Sequence, residues 1–256
     1  MSGPGFIREI FLGRPLPEDS WLNRLPALAQ LRAGERLAFD SPVTFLVGEN
    51  GAGKSTLLEG IAVACGFNPE GGTRNFSFST RDTHSALGEY LTISRSAYPR
   101  DGFFLRAESF YNAASYIDRL DEEPGPSLLD SYGGVSLHAQ SHGESFLALV
   151  QNRFGGEGLY LLDEPEAALS PARQLTLLGQ MRLLAGEGSQ LVVATHSPIL
   201  MAYPGAAIYL LSEKGIERTE YRHTEHYLLT RRFLNDPERM LGMLFADGDA
   251  DQREEP

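Results

Sequence analysis

The segment Gly48-Glu49-Asn50-Gly51-Ala52-Gly53-Lys54-Ser55-Thr56 places glycines, an ammonium and two hydroxyls at a spacing suited to phosphate chemistry. Glycines let backbone N–H groups curl around phosphate oxygens, and a helix that starts at Lys54 adds the partial positive charge of its N-terminus. Lys54 would reach the β- and γ-phosphates of a nucleotide, and the Ser55 hydroxyl would ligate Mg²⁺, an ion that takes oxygen ligands. The apolar run Val43 to Val47 precedes the loop and Leu57-Leu58 follows it, so the context is strand, loop, helix. A glycine turn of purely structural use requires none of these matches.

A second acidic constellation ends the run Leu159-Tyr160-Leu161-Leu162 at Asp163-Glu164-Pro165-Glu166. Four consecutive apolar residues suit a strand buried on both faces of a parallel sheet, and such sheets bind ligands at the carboxyl ends of their strands. Asp163 is expected in the Mg²⁺ shell. Glu164, sent to the other side by strand alternation, is the candidate general base for an attacking water. A third strand, Gln190 to Thr195, ends at His196, with Ser197-Pro198 set to start a helix. His196 reads either as a solvated loop histidine or as a donor to the γ-phosphate, and its place after Asp163-Glu164 favours the phosphate.

The remaining piece is Gln140-Ser141-His142-Gly143-Glu144-Ser145 ahead of Phe146 to Val150. By itself it is a serine-capped core helix whose N-terminus can also bind an anion. The order of P-loop, serine-glycine helix start, Asp-Glu-Pro and strand-tip histidine resembles the nucleotide-binding domain of the ABC-class ATPases. The match runs roughly from Phe6 to Leu211 and is nearest to small stand-alone bacterial ATPases of that class. The resemblance implies an α/β P-loop fold: a mostly parallel sheet with an antiparallel N-terminal edge and a small helical lobe over about 109–153. It also implies ATP and Mg²⁺ as ligands, and a head-to-tail homodimer in which Ser141 and Gly143 of one copy close over the nucleotide of the other. The family signature departs here at Gln140, His142 and Glu144, and the segment Ala167 to Ser170 lacks the family's usual aspartate. The family's glutamine between P-loop and signature has Glu108 as its counterpart, which reads equally well as a helix-start acid.

Around these motifs the chain predicts strands near Phe6 to Leu12, Arg36 to Phe39, Asn75 to Ser79 and Tyr90 to Ser94, with helical turns from Trp21 to Leu31. Strands near Ala207 to Leu211 and Ile216 to Tyr221 follow, then helices begun by Thr224 and by Asp236-Pro237, the latter with Leu241, Leu244 and Phe245 on an apolar face. His223 and His226 stand three apart, but no Cys or third His lies near enough to make a metal site of them.

At 256 residues the chain suits one α/β domain, expected over 1–246, with an acidic disordered tail over 247–256. Its single cysteine, Cys65, excludes an internal disulfide and fits a reducing cytoplasm. Met1 to Phe6 has no basic start followed by an apolar core, and no run approaches the roughly 20 apolar residues of a membrane span. The net charge of −12 repels nucleic acid, so DNA binding would need a local basic patch. Arg95, Arg100 and Arg106 form one short candidate and Arg231-Arg232 another, both more simply read as solvated surface. The expected activity is ATP hydrolysis by a nucleotide-driven dimer, in DNA maintenance or defence with an unknown protein partner. The alternatives are the energising subunit of a membrane transporter and a nucleotide sensor that does not hydrolyse.

Overall fold

The computed structural model describes residues 5–73, 86–107, 110, 114–115, 118, 121, 136–139 and 141–250. A six-stranded sheet forms its centre, in the order β5 (Asp101–Arg106), β6 (Gly158–Asp163), β7 (Gln190–Ala194), β3 (Val43–Val47), β8 (Ala207–Ser212) and β9 (Gly215–Thr219). The first five run parallel and β9 turns back antiparallel on β8. Every residue of β3, β6 and β7 is buried, which explains why these strands read as unbroken apolar runs rather than as alternation.

The pleat divides those side chains between two cores. Leu46, Leu159, Leu161 and Val192 face one way, where they meet the P-loop helix α1 (Lys54–Ala64) through Leu57, Leu58 and Ile61. Val43, Phe45, Tyr160, Leu162 and Val193 face the other, where α2 (His142–Arg153) and α3 (Pro171–Gly186) supply Phe146, Leu149, Leu177 and Met181. A separate three-stranded antiparallel sheet, β2 (Leu37–Ala38), β1 (Glu9–Leu12) and β4 (Leu91–Ser94), covers the first core. The N-terminal strands thus build a second sheet instead of an edge on the main one. The buried Gln190 side chain joins the N-terminal segment to β7, accepting from Ile7 N and donating to Ile7 O, both at 2.8 Å.

Two helices end the described chain, α4 (Glu225–Asn235) and α5 (Pro237–Ala250). Thr224 caps the first, accepting from Tyr227 N, and Asp236 accepts from Arg239 N at the start of the second. Residues 247–250, read from sequence as tail, continue α5. Leu241, Leu244 and Phe245 are exposed rather than packed, and α4 has no buried residue. The predicted strand at 75–79 and most of the lobe ahead of α2 fall outside the described residues. Among the described residues no helix is long and apolar enough to cross a membrane.

Candidate active site

The loop after β3 needs its glycines for backbone reasons. Gly48, Gly51 and Gly53 have φ of +147°, +80° and +94°, and a Cβ on Gly48 would lie 2.2 Å from the Leu211 carbonyl oxygen. The left-handed Gly53 caps α1, whose first residue, Lys54, is 4% exposed and donates from Nζ to the Glu49 carbonyl at 3.0 Å. Burial pushes the Lys54 ammonium down in pKa, while Glu164, Asp163 and Glu166 pull it back up. Next to it, Ser55 Oγ donates to Asp163 Oδ1 at 2.9 Å, which unites the glycine loop with the end of β6.

Asp163 is buried and shares a guanidinium with the P-loop helix. Arg106, at the end of β5, lies 3.5 Å from Asp163 Oδ2 and donates to Glu59 Oε2 at 2.7 Å. Its side chain is 18% exposed. Arg106 is therefore no part of a solvated basic patch: it holds two carboxylates together behind the Asp163 oxygen that accepts from Ser55. Parallel pairing sets this up, because Arg106 is the β5 partner of Asp163.

Glu164 reaches its position by a route that strand alternation does not describe. Strand β6 stops at Asp163, and Glu164 adopts the left-handed region, φ 49° and ψ 50°, with its N–H on Ala194 O. A non-glycine residue there is strained by about 1 kcal/mol or more. The turn brings Glu164 Oε1 to 3.6 Å from His196 Nε2. Glu166 secures the other side of the histidine by accepting from His196 N, and burial raises its own carboxyl pKa. Ser197 does not start the expected helix. Its Oγ accepts from Ile199 N and Leu200 N and donates to Gln174, giving only the short turn Leu200–Ala202.

Sequence reasoning missed one neighbour of this cluster. His226, from α4, puts Nε2 3.2 Å from His196 Nδ1, with ring centroids 5.3 Å apart. Burial first, then Lys54, lowers the His196 pKa; burial, His196 and Lys54 lower that of His226. His223 is exposed and takes no part.

Ser141 and Gly143 are engaged within their own chain. Ser141 Oγ donates to Glu144 Oε2 at 2.7 Å, and Arg173 reaches Glu144 Oε1 at 2.9 Å. A Cβ on Gly143 would meet Arg173 Nη1 at 2.6 Å and Ala168 O at 2.7 Å, so packing alone demands glycine there. His142, between them, lines a cleft of about 330 Å³ with Ala107, Asp163, Glu164, Ala167 and Ala168. Gln140 and Glu108 lie outside the described residues. Thr56 is the third residue of α1.

The residues present fit a magnesium–nucleotide pair. The donors at the junction, Ser55 Oγ and Asp163, are hard oxygens, and among the described residues there is no three-residue His, Cys, Asp or Glu cluster of the kind softer metals require. The space where a Gly51 side chain would stand is open. Residues 28–108 match a family described as "AAA domain", and residues 130–202 match one described as "AAA domain, putative AbiEii toxin, Type IV TA system". Both matches support a P-loop ATPase domain, and the curated relatives that this chain resembles are of the ABC class.

Among curated ABC relatives, the cobalt import ATP-binding protein CbiO of Salmonella typhimurium is 26% identical over 194 residues, 69% of each chain. An uncharacterized ABC transporter ATP-binding protein of Haemophilus influenzae is 25% identical over 207 residues, 72% of this chain and 75% of the relative. The solved structure of cbiO1 from Clostridium perfringens, part of the complex cbiONQ, aligns over 83% of this chain and 90% of its own at 14% identity, with a TM-score of 0.44. In this chain the strand order around β3 and the bond from Ser55 to Asp163 position the glycine loop.

Proposed function

We propose that this ABC-class ATPase binds Mg·ATP at residues 49–56 and hydrolyses it with Glu164 as general base. The observation that carries the reading is the closure of Ser55 Oγ on Asp163 Oδ1 beside a buried Lys54, with Glu164 and His196 facing each other at the same strand ends. Lys54 neutralises the β- and γ-phosphates and the loop N–H groups hold their oxygens. Ser55 and Asp163 would hold Mg²⁺, which would supply positive charge to offset that of the transferring phosphoryl group. Glu164 takes the proton of the attacking water, and His196 donates from Nε2 to a γ-phosphate oxygen. In the proposed cycle two copies pair head to tail, Ser141 and Gly143 of each completing the site of the other.

The test measures ATP turnover and oligomeric mass, with Mg·ATP, for wild type and Glu164→Gln. Losing the base is expected to slow turnover by about 10²- to 10⁴-fold while ATP binding is retained, and to accumulate a dimer. A variant that turns over like wild type removes Glu164 from the role, and a wild type that neither hydrolyses nor dimerises leaves a nucleotide sensor.

The output of the cycle is proposed to be a cytoplasmic switch acting on a protein partner, in DNA maintenance or defence. Absence of ATP-dependent DNA retention at low salt would remove the DNA part. The relatives' names, cobalt import and ABC transporter ATP-binding proteins, favour a second reading as the energising subunit of a transporter. Co-purification with a membrane protein decides for it.

A further inference from the structure

His196 and His226 come from strand ends and a terminal helix that share no local sequence, yet their facing nitrogens stand 3.2 Å apart. The helix is anchored at its first turn. Thr224 is fully buried, donates from Oγ1 to Tyr221 O at 2.8 Å and accepts from Tyr227 N at 3.3 Å, while the Tyr221 and Tyr227 rings meet at 4.7 Å. His226 is therefore held in place rather than swinging on a loose end. Together with Glu49, Asn50, His196, Glu225 and Leu229 it lines a cavity of about 410 Å³ that opens beside the glycine loop.

A contact between two neutral imidazoles holds a single proton, so the tautomer of one ring sets that of the other. His196 Nε2 faces Glu164 Oε1, an acceptor, at 3.6 Å. With the proton on that nitrogen, His196 Nδ1 is a bare acceptor and only His226 Nε2–H can satisfy it. His226 Nδ1 has no hydrogen-bond partner among the described residues, so no acceptor on that side competes for the proton. The charged groups around the pair are Lys54, Glu164, Glu166 and Glu225.

We propose that His226 is a positioning residue of the ATPase site: its Nε2–H donates to His196 Nδ1 and holds the His196 ring with Nε2–H turned to Glu164 and the γ-phosphate position. The consequence for catalysis rests on the hydrolytic reading above, but the pairing itself does not. A partner that fixes the ring and tautomer of a working histidine is typically worth about 10- to 100-fold in that histidine's task.

The deciding experiment reads ring-nitrogen NMR shifts in the ¹⁵N-histidine-labelled full chain without nucleotide at roughly pH 8, above the ordinary histidine range. The His196 signals are identified by their loss in His196→Gln. Wild type is expected to show His196 as one Nε2–H tautomer, and His226→Ala to convert it to a mixture. An Nδ1–H tautomer in wild type, or signals that His226→Ala leaves unchanged, overturns the proposal. In turnover assays His226→Ala is expected to lower kcat by about tenfold or more with KM for ATP little changed. His226→Gln, whose amide reaches the same place, should restore most of it. In a His196→Ala background the His226 change should cost nothing further, and losses that multiply would mean that His226 acts through some other group. If wild type does not hydrolyse ATP, the hydrolytic reading fails while the NMR result still decides the pair.

Discussion

Replacing Arg106 by alanine removes the guanidinium that Glu59 and Asp163 share, at 2.7 and 3.5 Å, beneath the glycine loop. The three side chains are 18%, 10% and 8% exposed, so the carboxylates left behind cannot simply be rehydrated. Breaking a buried ion pair by removing one partner costs about 3–5 kcal/mol, a large part of the roughly 5–15 kcal/mol that holds a domain folded. At about 2–4 °C per kcal/mol for a chain of this size, the melting temperature should fall by roughly 6–20 °C. The comparison is Arg218→Ala, which breaks the Arg218–Asp40 pair at the same 2.7 Å but with both side chains more than half exposed. That pair is worth less than about 1 kcal/mol, or about 4 °C at most. Calorimetric melts of both variants against wild type, in one buffer, measure the contrast. Adding Glu59→Gln to Arg106→Ala should return part of the loss, because it removes the charge of one carboxylate that has lost the guanidinium. Equal shifts for the two arginine variants would refute the assignment of Arg106 as the buried tie.

Gly48→Ala forces a Cβ to 2.2 Å from Leu211 O at a φ of +147°, and should cost about 1–3 kcal/mol and weaken ATP binding by equilibrium dialysis. Gly34→Ala, at φ +88° but in open space, should leave ATP binding intact; the reverse order would be inconsistent with a packed phosphate loop. Glu164→Asn suits the left-handed backbone better than glutamate does, so urea unfolding should show stability raised by up to about 1 kcal/mol while turnover is lost. A destabilised Glu164→Asn would show that the turn is not strained. Burial holds the pKa of His196 and His226 below the ordinary 6.5, with Lys54 and the neighbouring ring adding to it. As pH falls below about 6.5 the unfolded chain takes up these protons before the folded chain does, so the stability these rings allow is full above that pH and is lost on acidification. The raised Glu166 pKa works in the opposite sense but is common to both proteins compared. His226→Gln removes one depressed imidazole and should flatten the fall in melting temperature between about pH 7 and 5.5; identical slopes would count against it.

The chemistry that sits within a few residues of itself was legible in the sequence. Glycines, Lys54 and Ser55 are covalent neighbours, and Asp163 follows a run whose unbroken apolarity marks a strand buried on both faces. What depends on chain crossings was not. Arg106 looked like surface charge because its partners, Glu59 and Asp163, lie far away in sequence and meet it only once β5 pairs with β6. His226 looked like half of a local pair with His223 because helix spacing is visible and a contact with His196 is not. The alternation argument for Glu164 presumed one more strand residue than β6 has. The terminal helices carry apolar residues at helical spacing, and spacing does not say whether anything covers them: Leu228, Phe233, Leu234 and Leu244 are exposed. The N-terminal strands were visible as strands, but not their closure with β4 into a sheet of their own.

The central place of β3 has a consequence for how the molecule is made. Val43 pairs with Leu191 and Thr44 with Ala207, so the strand that carries the phosphate loop has no hydrogen-bonded neighbour in the main sheet until the ribosome has delivered β7 and β8. At about 5–20 residues per second, the loop spends roughly 7 to 30 seconds emerged but unsupported. During that time its apolar strand and its glycines are a liability to be shielded, and a chain cut short before Gln190 presents the glycine loop without either of the strands that flank β3.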